Sequence, residues 1–125
     1  MINENKNIVI DLDGTLCNKY PDSTYLDAKP IKRVIKRLKE YKKKGFYIII
    51  FTSRNMRTHK GNIGKINADT LKTIHEWLEK HNVPFDEIHI GKPWQGKGGF
   101  YVDDKTIRPS EFISKSYDEI LDILE

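Results

Sequence analysis

The chain has 125 residues, of which 38% are hydrophobic and 32% are charged. This length is typical of one domain with one core, so we predict a single domain over residues 1–125. The longest apolar run, residues 46–51, is too short to cross a bilayer, and the N-terminus lacks the basic and apolar stretches of a secretory signal. Cys17 is the only cysteine, which excludes a disulfide framework and a cysteine-based zinc site. We therefore expect a cytoplasmic protein with no membrane partner.

The whole chain has a net charge of +4. Residues 29–44 are its most basic segment, with nine basic side chains and one acid. Such a segment could attract nucleic acid or an anionic surface. Apolar residues also recur through it at helical spacing: Ile31, Val34, Ile35 and Leu38. The segment therefore fits the solvated face of a helix as well. We favour the helix and do not expect a nucleic-acid partner.

The first half of the chain alternates between strand and helix signals. In chain order we predict a buried strand at 7–13, a loop with a small hairpin at 14–29, a helix at 30–44 and a strand at 46–51. Pro30 suits a first helical turn and Gly45 a helix end. The second strand, with the sequence FYIIIF, has no polar alternation, which is typical of a strand that is covered on both faces.

The second half continues the same alternation. We predict a loop at 52–67, a helix at 68–81, a strand at 87–90, a loop at 91–99, a strand at 100–103 and a final helix that ends near Leu124. Ser116 and Glu119 form a capping box before that last helix. The alternation predicts an α/β fold with a mostly parallel sheet.

The chemically distinctive side chains follow the four predicted strands: Asp11 and Asp13, Thr52, Lys92, and Asp103 with Asp104. In parallel sheets ligands bind beyond the carboxyl ends of the strands, so we expect these residues to converge on one cleft. Carboxylate oxygens select a hard ion, Mg²⁺ above all. An aspartate can attack phosphorus, and a second carboxylate can work as acid and base. Any one of these residues alone would fit a turn or a cap, and only their joint order favours catalysis.

Four short motifs carry a resemblance to a known family. DLDGT at residues 11–15, TSR at 52–54, Lys92 in GKP and VDD at 102–104 resemble the ordered motifs of the haloacid dehalogenase (HAD) superfamily. Longer stretches resemble its small phosphatases that are encoded with capsular polysaccharide genes. The resemblance implies a three-layer, Rossmann-like sheet with helices on both faces. The loops at 14–29 and 91–99 are too short to fold as the cap domains of that superfamily.

The resemblance also implies roles for individual residues. Asp11 would be the nucleophile and Asp13 the general acid/base, which favours phosphate hydrolysis over dehalogenation. Thr52 and Lys92 would bind the phosphoryl group. The magnesium ion would lie on the ligands Asp11, the Asp13 backbone carbonyl and Asp104, with Asp103 close by or acting through water.

The loop at 53–68 carries four basic side chains and no acid. It could attract a second anionic group of a substrate, or it could be a solvated loop that offsets the acidic site at long range. The predicted substrate-binding residues are Thr52, Ser53, Arg54, Lys65 and Trp94; whether Lys65 and Trp94 enter the site stays open. The expected substrate is a small phosphorylated metabolite, and the resemblance implies a sugar or sugar-acid phosphate.

Two other functions remain open from the sequence. One is a polynucleotide-end or nucleotide phosphatase, which the basic segment at 29–44 allows. The other is a phospho-accepting receiver-like domain, although receivers carry the phosphate after a middle strand and here the DxD pair follows the first. A homo-oligomer is also open, since Tyr20 and Tyr25 could serve a subunit contact or pack beneath their loop.

Overall fold

A computed structural model describes residues 6–18 and 24–125 of the chain, so Tyr20 lies outside the described residues. The chain divides into two compact units, Met1–Trp94 and Gln95–Glu125. The first contains β1 (Asn7–Ile10), β2 (Cys17–Asn18), β3 (Lys29–Pro30), α1 (Lys32–Lys43), β4 (Tyr47–Phe51), α2 (Ile63–Lys80) and β5 (Glu87–His89). The second contains α3 (Pro109–Ser114) and α4 (Tyr117–Ile123). The single domain over residues 1–125 stays a prediction.

A parallel sheet with the order β1-β4-β5 forms the centre of the first unit. Val9 pairs with Ile49, and Ile50 pairs with Ile88. Ile48, Ile49 and Ile50 of the central strand β4 are all buried, which confirms that both of its faces are covered. The sheet is flanked by helices, so the predicted α/β architecture with a parallel sheet is confirmed. Between β1 and α1 the described residues form only the β2–β3 ribbon, and no cap is evident there.

The helix α1 buries the apolar residues that were predicted for one of its faces, and a glycine follows its C-terminal end. Val34, Ile35 and Leu38 are buried, and Gly45 follows the helix at φ +91°, a left-handed conformation that favours glycine. The prediction that Pro30 opens this helix is wrong. Pro30 pairs with Cys17 in the ribbon instead, and the helix begins two residues later.

The helix α2 begins five residues before its predicted start, so the predicted loop at 52–67 is wrong over its last part. The side chain of Asn62 accepts the backbone N–H of Lys65 at 3.1 Å and so caps the helix. Ile66, in the first turns, is fully buried. Burial of this one side chain outweighs the low helix propensity of Gly64 and Asn67.

The second unit differs most from the sequence prediction. Residues 100–103 form no strand with the described residues, and the predicted fourth strand is therefore wrong. Phe100 is 80% exposed and Val102 is 89% exposed, so these two side chains are not packed as they would be in a buried strand. The helix α3 was not predicted, whereas the capping box of Ser116 and Glu119 at the start of α4 is confirmed.

Across the two described ranges, 6–18 and 24–125, no helix combines the length and the apolar character that crossing a membrane requires.

Candidate active site

A tight turn after β1 displays the first two acids. The buried side chain of Leu12 anchors the turn, and its carbonyl accepts the N–H of Leu16 at 2.8 Å. Gly14 adopts φ +88°, and its N–H donates to the Cys17 carbonyl. With Leu12 directed into the core, Asp11 and Asp13 on either side of it remain accessible at the end of the strand.

One carboxylate oxygen of Asp11 accepts a hydrogen bond, and the other lies beside the ammonium group of Lys92. Its Oδ2 accepts a hydrogen bond from Thr15 Oγ1 at 3.1 Å. Its Oδ1 lies 3.6 Å from Lys92 Nζ, in a partly buried pair. This arrangement keeps a carboxylate oriented at the mouth of the turn and lowers the cost of bringing a second anion close to it.

Asp13 is held by a bidentate arginine. Arg54 Nε donates to Oδ2 at 3.0 Å, and Arg54 Nη2 donates to Oδ1 at 2.8 Å. The guanidinium carbon of Arg54 lies 4.2 Å from the centre of the Tyr25 ring, and the side chain is 1% exposed. Arg54 Nη1 is buried and has no hydrogen-bond partner among residues 6–18 and 24–125. The predicted substrate contact of Arg54 stays a prediction, and Nη1 is the one nitrogen left for it.

Cys17 adds a third donor to Asp13. Its Sγ lies 3.5 Å from Asp13 Oδ1, and the residue is fully buried. Burial, and then the nearby negative charge of Asp13, raise the pKa of the Cys17 thiol to about 12. The protonated thiol therefore serves as a weak hydrogen-bond donor and not as a nucleophile.

Thr52 links the ends of β4 and β5. Its N–H donates to the His89 carbonyl at 2.9 Å, and its own carbonyl accepts the N–H of Lys92 at 3.1 Å. The Oγ1 of Thr52 accepts the N–H of Arg54 at 3.1 Å, which leaves the hydroxyl proton available to donate. The structure thus brings together the residues that follow three of the four predicted strand ends.

The remaining predicted substrate residues lie along the loops. Ser53 is half-buried, and its carbonyl accepts the N–H of Met56. Lys65 lies in the first turn of α2 and is exposed. Trp94 is 40% exposed, and the guanidinium of Arg57 lies 5.3 Å from the centre of its ring. Sequence reasoning did not single out Arg57, although its place in the all-basic loop was the available signal.

Asp103 and Asp104 belong to the second unit. Oδ1 of Asp103 accepts the N–H of Lys105 at 2.8 Å, and the carbonyl of Asp104 accepts the N–H of Glu125 at 3.0 Å.

Within residues 6–18 and 24–125, no three His, Cys, Asp or Glu side chains gather in a metal-binding group. Asp11 and the Asp13 carbonyl still offer the hard oxygen donors that suit Mg²⁺, so the donor set fits such an ion in kind and is partial in number.

Comparison with known proteins gives three findings. The family model described as haloacid dehalogenase-like hydrolase matches residues 8–75. A crystal structure of a protein from Vibrio cholerae is 52% identical and has a TM-score of 0.90, covering 94% of this chain and 95% of that chain. A chain from the structure of a Pnkp1/Rnl/Hen1 complex is 20% identical with a TM-score of 0.51, over 90% of this chain and 36% of that one, which shows the fold alone. No curated protein matches the sequence.

Proposed function

Because the chain belongs to the haloacid dehalogenase-like hydrolases, we propose that it is a phosphomonoesterase that works through a phosphorylated Asp11. The observation that carries this proposal is the arrangement at the end of β1. There Asp11 is oriented by Thr15 beside Lys92, while Asp13, two residues on, is fixed by Arg54. One carboxylate is thus prepared to attack and the other to transfer a proton.

In the first step a carboxylate oxygen of Asp11 attacks phosphorus and the bond from phosphorus to the leaving oxygen breaks. Asp13 gives its proton to that oxygen, so the alcohol departs neutral. In the second step water attacks phosphorus, Asp13 takes a proton from the water, and the bond between phosphorus and Asp11 breaks. Inorganic phosphate leaves, and both carboxyl groups return to their starting states.

The neighbouring side chains support these steps. The ammonium of Lys92 and the hydroxyl of Thr52 supply a charge and a hydrogen bond for the phosphoryl oxygens. Both oxygens of Asp13 accept from Arg54 in this structure, so proton transfer requires that one be released. The unpartnered Nη1 gives Arg54 a further donor for an anion while it keeps its hold on Asp13.

A magnesium ion held by Asp11, the Asp13 carbonyl and Asp104 would supply positive charge against the transferred phosphoryl group. This ligand set rests on the family's motifs and on the oxygen donors at the turn. Asp103 would support the ion from a neighbouring position.

For the substrate we propose a small phosphorylated sugar or sugar acid, used in the assembly of a surface polysaccharide such as a capsule. The basic residues of the loop at 53–68, which include Lys65, support an anionic group beyond the phosphate. Trp94, next to Arg57, offers a flat apolar surface for a sugar ring. The sugar class itself, a cytoplasmic location and the absence of membrane and nucleic-acid partners rest on the sequence alone.

Hydrolysis of p-nitrophenyl phosphate by the purified full-length chain tests the reaction. Asp11→Asn should lower kcat by at least about 10³-fold because the amide cannot attack phosphorus, and EDTA should remove the activity of the unaltered enzyme. Asp69→Asn, a change at an exposed acid on α2, is the matched control and should keep full activity. Full activity in Asp11→Asn would overturn the proposal, and a phosphorylated protein that lasts for minutes without turnover would point to a receiver-like domain.

The substrate class needs a separate screen. A panel of phosphorylated sugars, sugar acids and nucleotides should give the highest kcat/KM for a sugar or sugar-acid phosphate. A preference for nucleotides or for polynucleotide ends would overturn the sugar assignment and leave the phosphatase assignment intact.

A further inference from the structure

The main chain turns at Asn55, the residue after Arg54, into a conformation that most side chains avoid. Asn55 adopts φ +63°, in the left-handed region, where asparagine is tolerated better than most residues. Its side-chain amide reaches out of the loop, because Nδ2 donates to Thr70 Oγ1 of α2 at 2.6 Å. One side chain therefore ties this turn to a helical residue that lies fifteen positions further along the chain.

Thr70 is a well-fixed acceptor for that bond. It lies in the interior of α2 and is 2% exposed. Ile66 and Ile74, one turn before it and one turn after it on the same face of the helix, are fully buried. A buried hydroxyl requires a hydrogen-bond partner, and the Asn55 amide supplies one. The contact thus connects the loop to the packed face of α2.

The bidentate pair of Arg54 and Asp13 needs a fixed main chain at Arg54. The side chain of Asp13 is 39% exposed, so packing alone does not hold it. A series of rotatable bonds joins the guanidinium to its own backbone, and each of them must be fixed if the pair is to keep one position. The orientation of Asp13 therefore depends on where the main chain places Arg54.

Hydrogen bonds fix the main chain on both sides of Arg54. On one side, the N–H of Arg54 donates to Thr52 Oγ1 at 3.1 Å. On the other side, the carbonyl of Asn55 accepts the N–H of His59 at 2.9 Å, a bond that joins the loop to itself. The bond from Asn55 to Thr70 joins this second side to the packed helix.

We infer that Asn55 and Thr70 are positioning residues for the proton transfer at Asp13. Their hydrogen bond holds the main chain at Arg54, and Arg54 in turn holds the carboxylate that protonates the leaving oxygen. The inference rests on the proposed function for the reaction itself. It assigns a part in the acid–base step to two side chains that lie outside the TSR motif at residues 52–54.

Three substitutions separate this hydrogen bond from the turn itself. Asn55→Gly keeps a residue that tolerates φ +63° and removes the side-chain amide. Thr70→Val removes the acceptor from the helix side with little change in volume, and Thr70→Ser keeps the hydroxyl. Asp69→Asn is the matched control, because Asp69 precedes Thr70 on α2 and its 58% exposed side chain lies 3.5 Å from His59 Nε2 of the same loop.

Steady-state kinetics on an alkyl phosphate and on p-nitrophenyl phosphate gives the first readout. Asn55→Gly and Thr70→Val should each lower kcat by about 10-fold on the alkyl phosphate and by less than about 2-fold on p-nitrophenyl phosphate, since only the alkyl leaving group needs a proton. The double variant should be no worse than either single one, because both changes remove the same bond. Thr70→Ser should restore the unaltered ratio of the two rates. Equal losses on both substrates would show a merely structural role and overturn the inference.

Hydrogen exchange of the Arg54 Nε–H, followed by NMR, tests the positioning without activity. The signal is identified by its absence from Arg54→Lys. Its exchange rate with water should rise by about 10-fold in Asn55→Gly and in Thr70→Val, and should stay unchanged in Asp69→Asn. An unchanged rate in the first two variants overturns the inference alone. Faster exchange in them, with no hydrolysis of any phosphomonoester by the unaltered chain, overturns the proposed function and leaves the hold on Arg54 in place.

Discussion

Two segments share a pattern of an apolar run followed by two acids: residues 8–13 and residues 100–104. Only the first of them forms a strand. The first run pairs with β4, and the turn that follows it is anchored by a Leu12 that is 1% exposed. The second run leaves Val102 exposed, and its Asp103 accepts a local N–H from Lys105. The difference teaches that strand propensity describes a fit to a neighbouring strand more than a preference of the isolated backbone.

The same comparison separates two uses of acidic side chains. At the end of β1, Asp13 is held by Arg54, a donor that comes from far along the sequence. In the second unit, the acids follow a run that forms no strand, and the side chain of Asp103 accepts a local N–H from Lys105. An acid becomes part of a catalytic arrangement only when packing has first fixed the backbone that carries it.

The largest expected effect on stability separates a residue of β4, the strand that pairs with the first run, from a residue of the exposed second run. Ile50→Ala in β4 should lower the free energy of unfolding by about 2–5 kcal/mol, because it leaves a cavity at a fully buried position. Val102→Ala should change it by less than about 0.5 kcal/mol, because the Val102 side chain is 89% exposed. Urea unfolding followed by the fluorescence of the buried Trp77 measures both, and equal losses would break the comparison.

A second prediction concerns the hold on Asp13. Arg54→Ala should lower kcat on an alkyl phosphate by about 10²-fold, since a displaced Asp13 no longer protonates the leaving oxygen efficiently. The loss should be smaller for p-nitrophenyl phosphate, whose leaving group departs without a proton, and Arg54→Lys should recover part of it. Steady-state kinetics with both substrates measures the two losses of kcat.

Arg57→Ala is the matched control for this prediction, because Arg57 contacts Trp94 and not Asp13. It should raise KM for the true substrate with little effect on kcat. An Arg54→Ala enzyme that loses the same factor on both substrates would contradict a role through the proton on Asp13.

The smallest predicted effect compares two acids that each accept a backbone N–H. Asp86 accepts from Ile48 N at 2.8 Å and from Lys42 Nζ at 2.7 Å. Partial burial acts to raise the pKa of Asp86, but the hydrogen bonds from Lys42 and Ile48 outweigh it and hold that pKa below its usual value of 3.8. Asp86→Asn should therefore cost about 1 kcal/mol of stability at neutral pH, whereas Asp103→Asn should cost a few tenths.

The pH dependence follows from the sign of that shift. A carboxyl group whose pKa is lower in the folded protein stabilises the fold at pH values above its unfolded pKa and loses that effect as the pH falls through the folded one. The stability difference between the unaltered chain and Asp86→Asn should thus be constant near neutral pH and should shrink below about pH 4. Thermal unfolding across that range measures it, and a difference that grows on acidification would contradict it.

Much of the first unit could be predicted from the sequence because its signals are local. The apolar run of β4, the glycine that ends α1 and the acids after β1 all follow from residue type and spacing. The convergence of Asp11, Thr52 and Lys92 followed from the rule that parallel strands end at one edge.

The rest depends on contacts that sequence spacing does not encode. The early start of α2 depends on Ile66 finding a buried site, and the pairing of Pro30 with Cys17 displaces the start of α1. The contact between the guanidinium of Arg54 and Asp13 depends on the tertiary fold, and residue spacing does not predict it. The unformed strand at residues 100–103 is the clearest case, because strand composition alone does not fix a strand.

One close approach near the site has a consequence for the spacing of the catalytic groups. Gly91 adopts φ +84°, and a methyl group placed there would lie 2.7 Å from Cδ1 of Ile63, the first residue of α2. The loop that carries Lys92 therefore rests against this one side chain. Ile63 therefore sets how closely α2 approaches this loop, and trimming it to valine or enlarging it to phenylalanine should change the distance between the Lys92 ammonium and the Asp11 carboxylate.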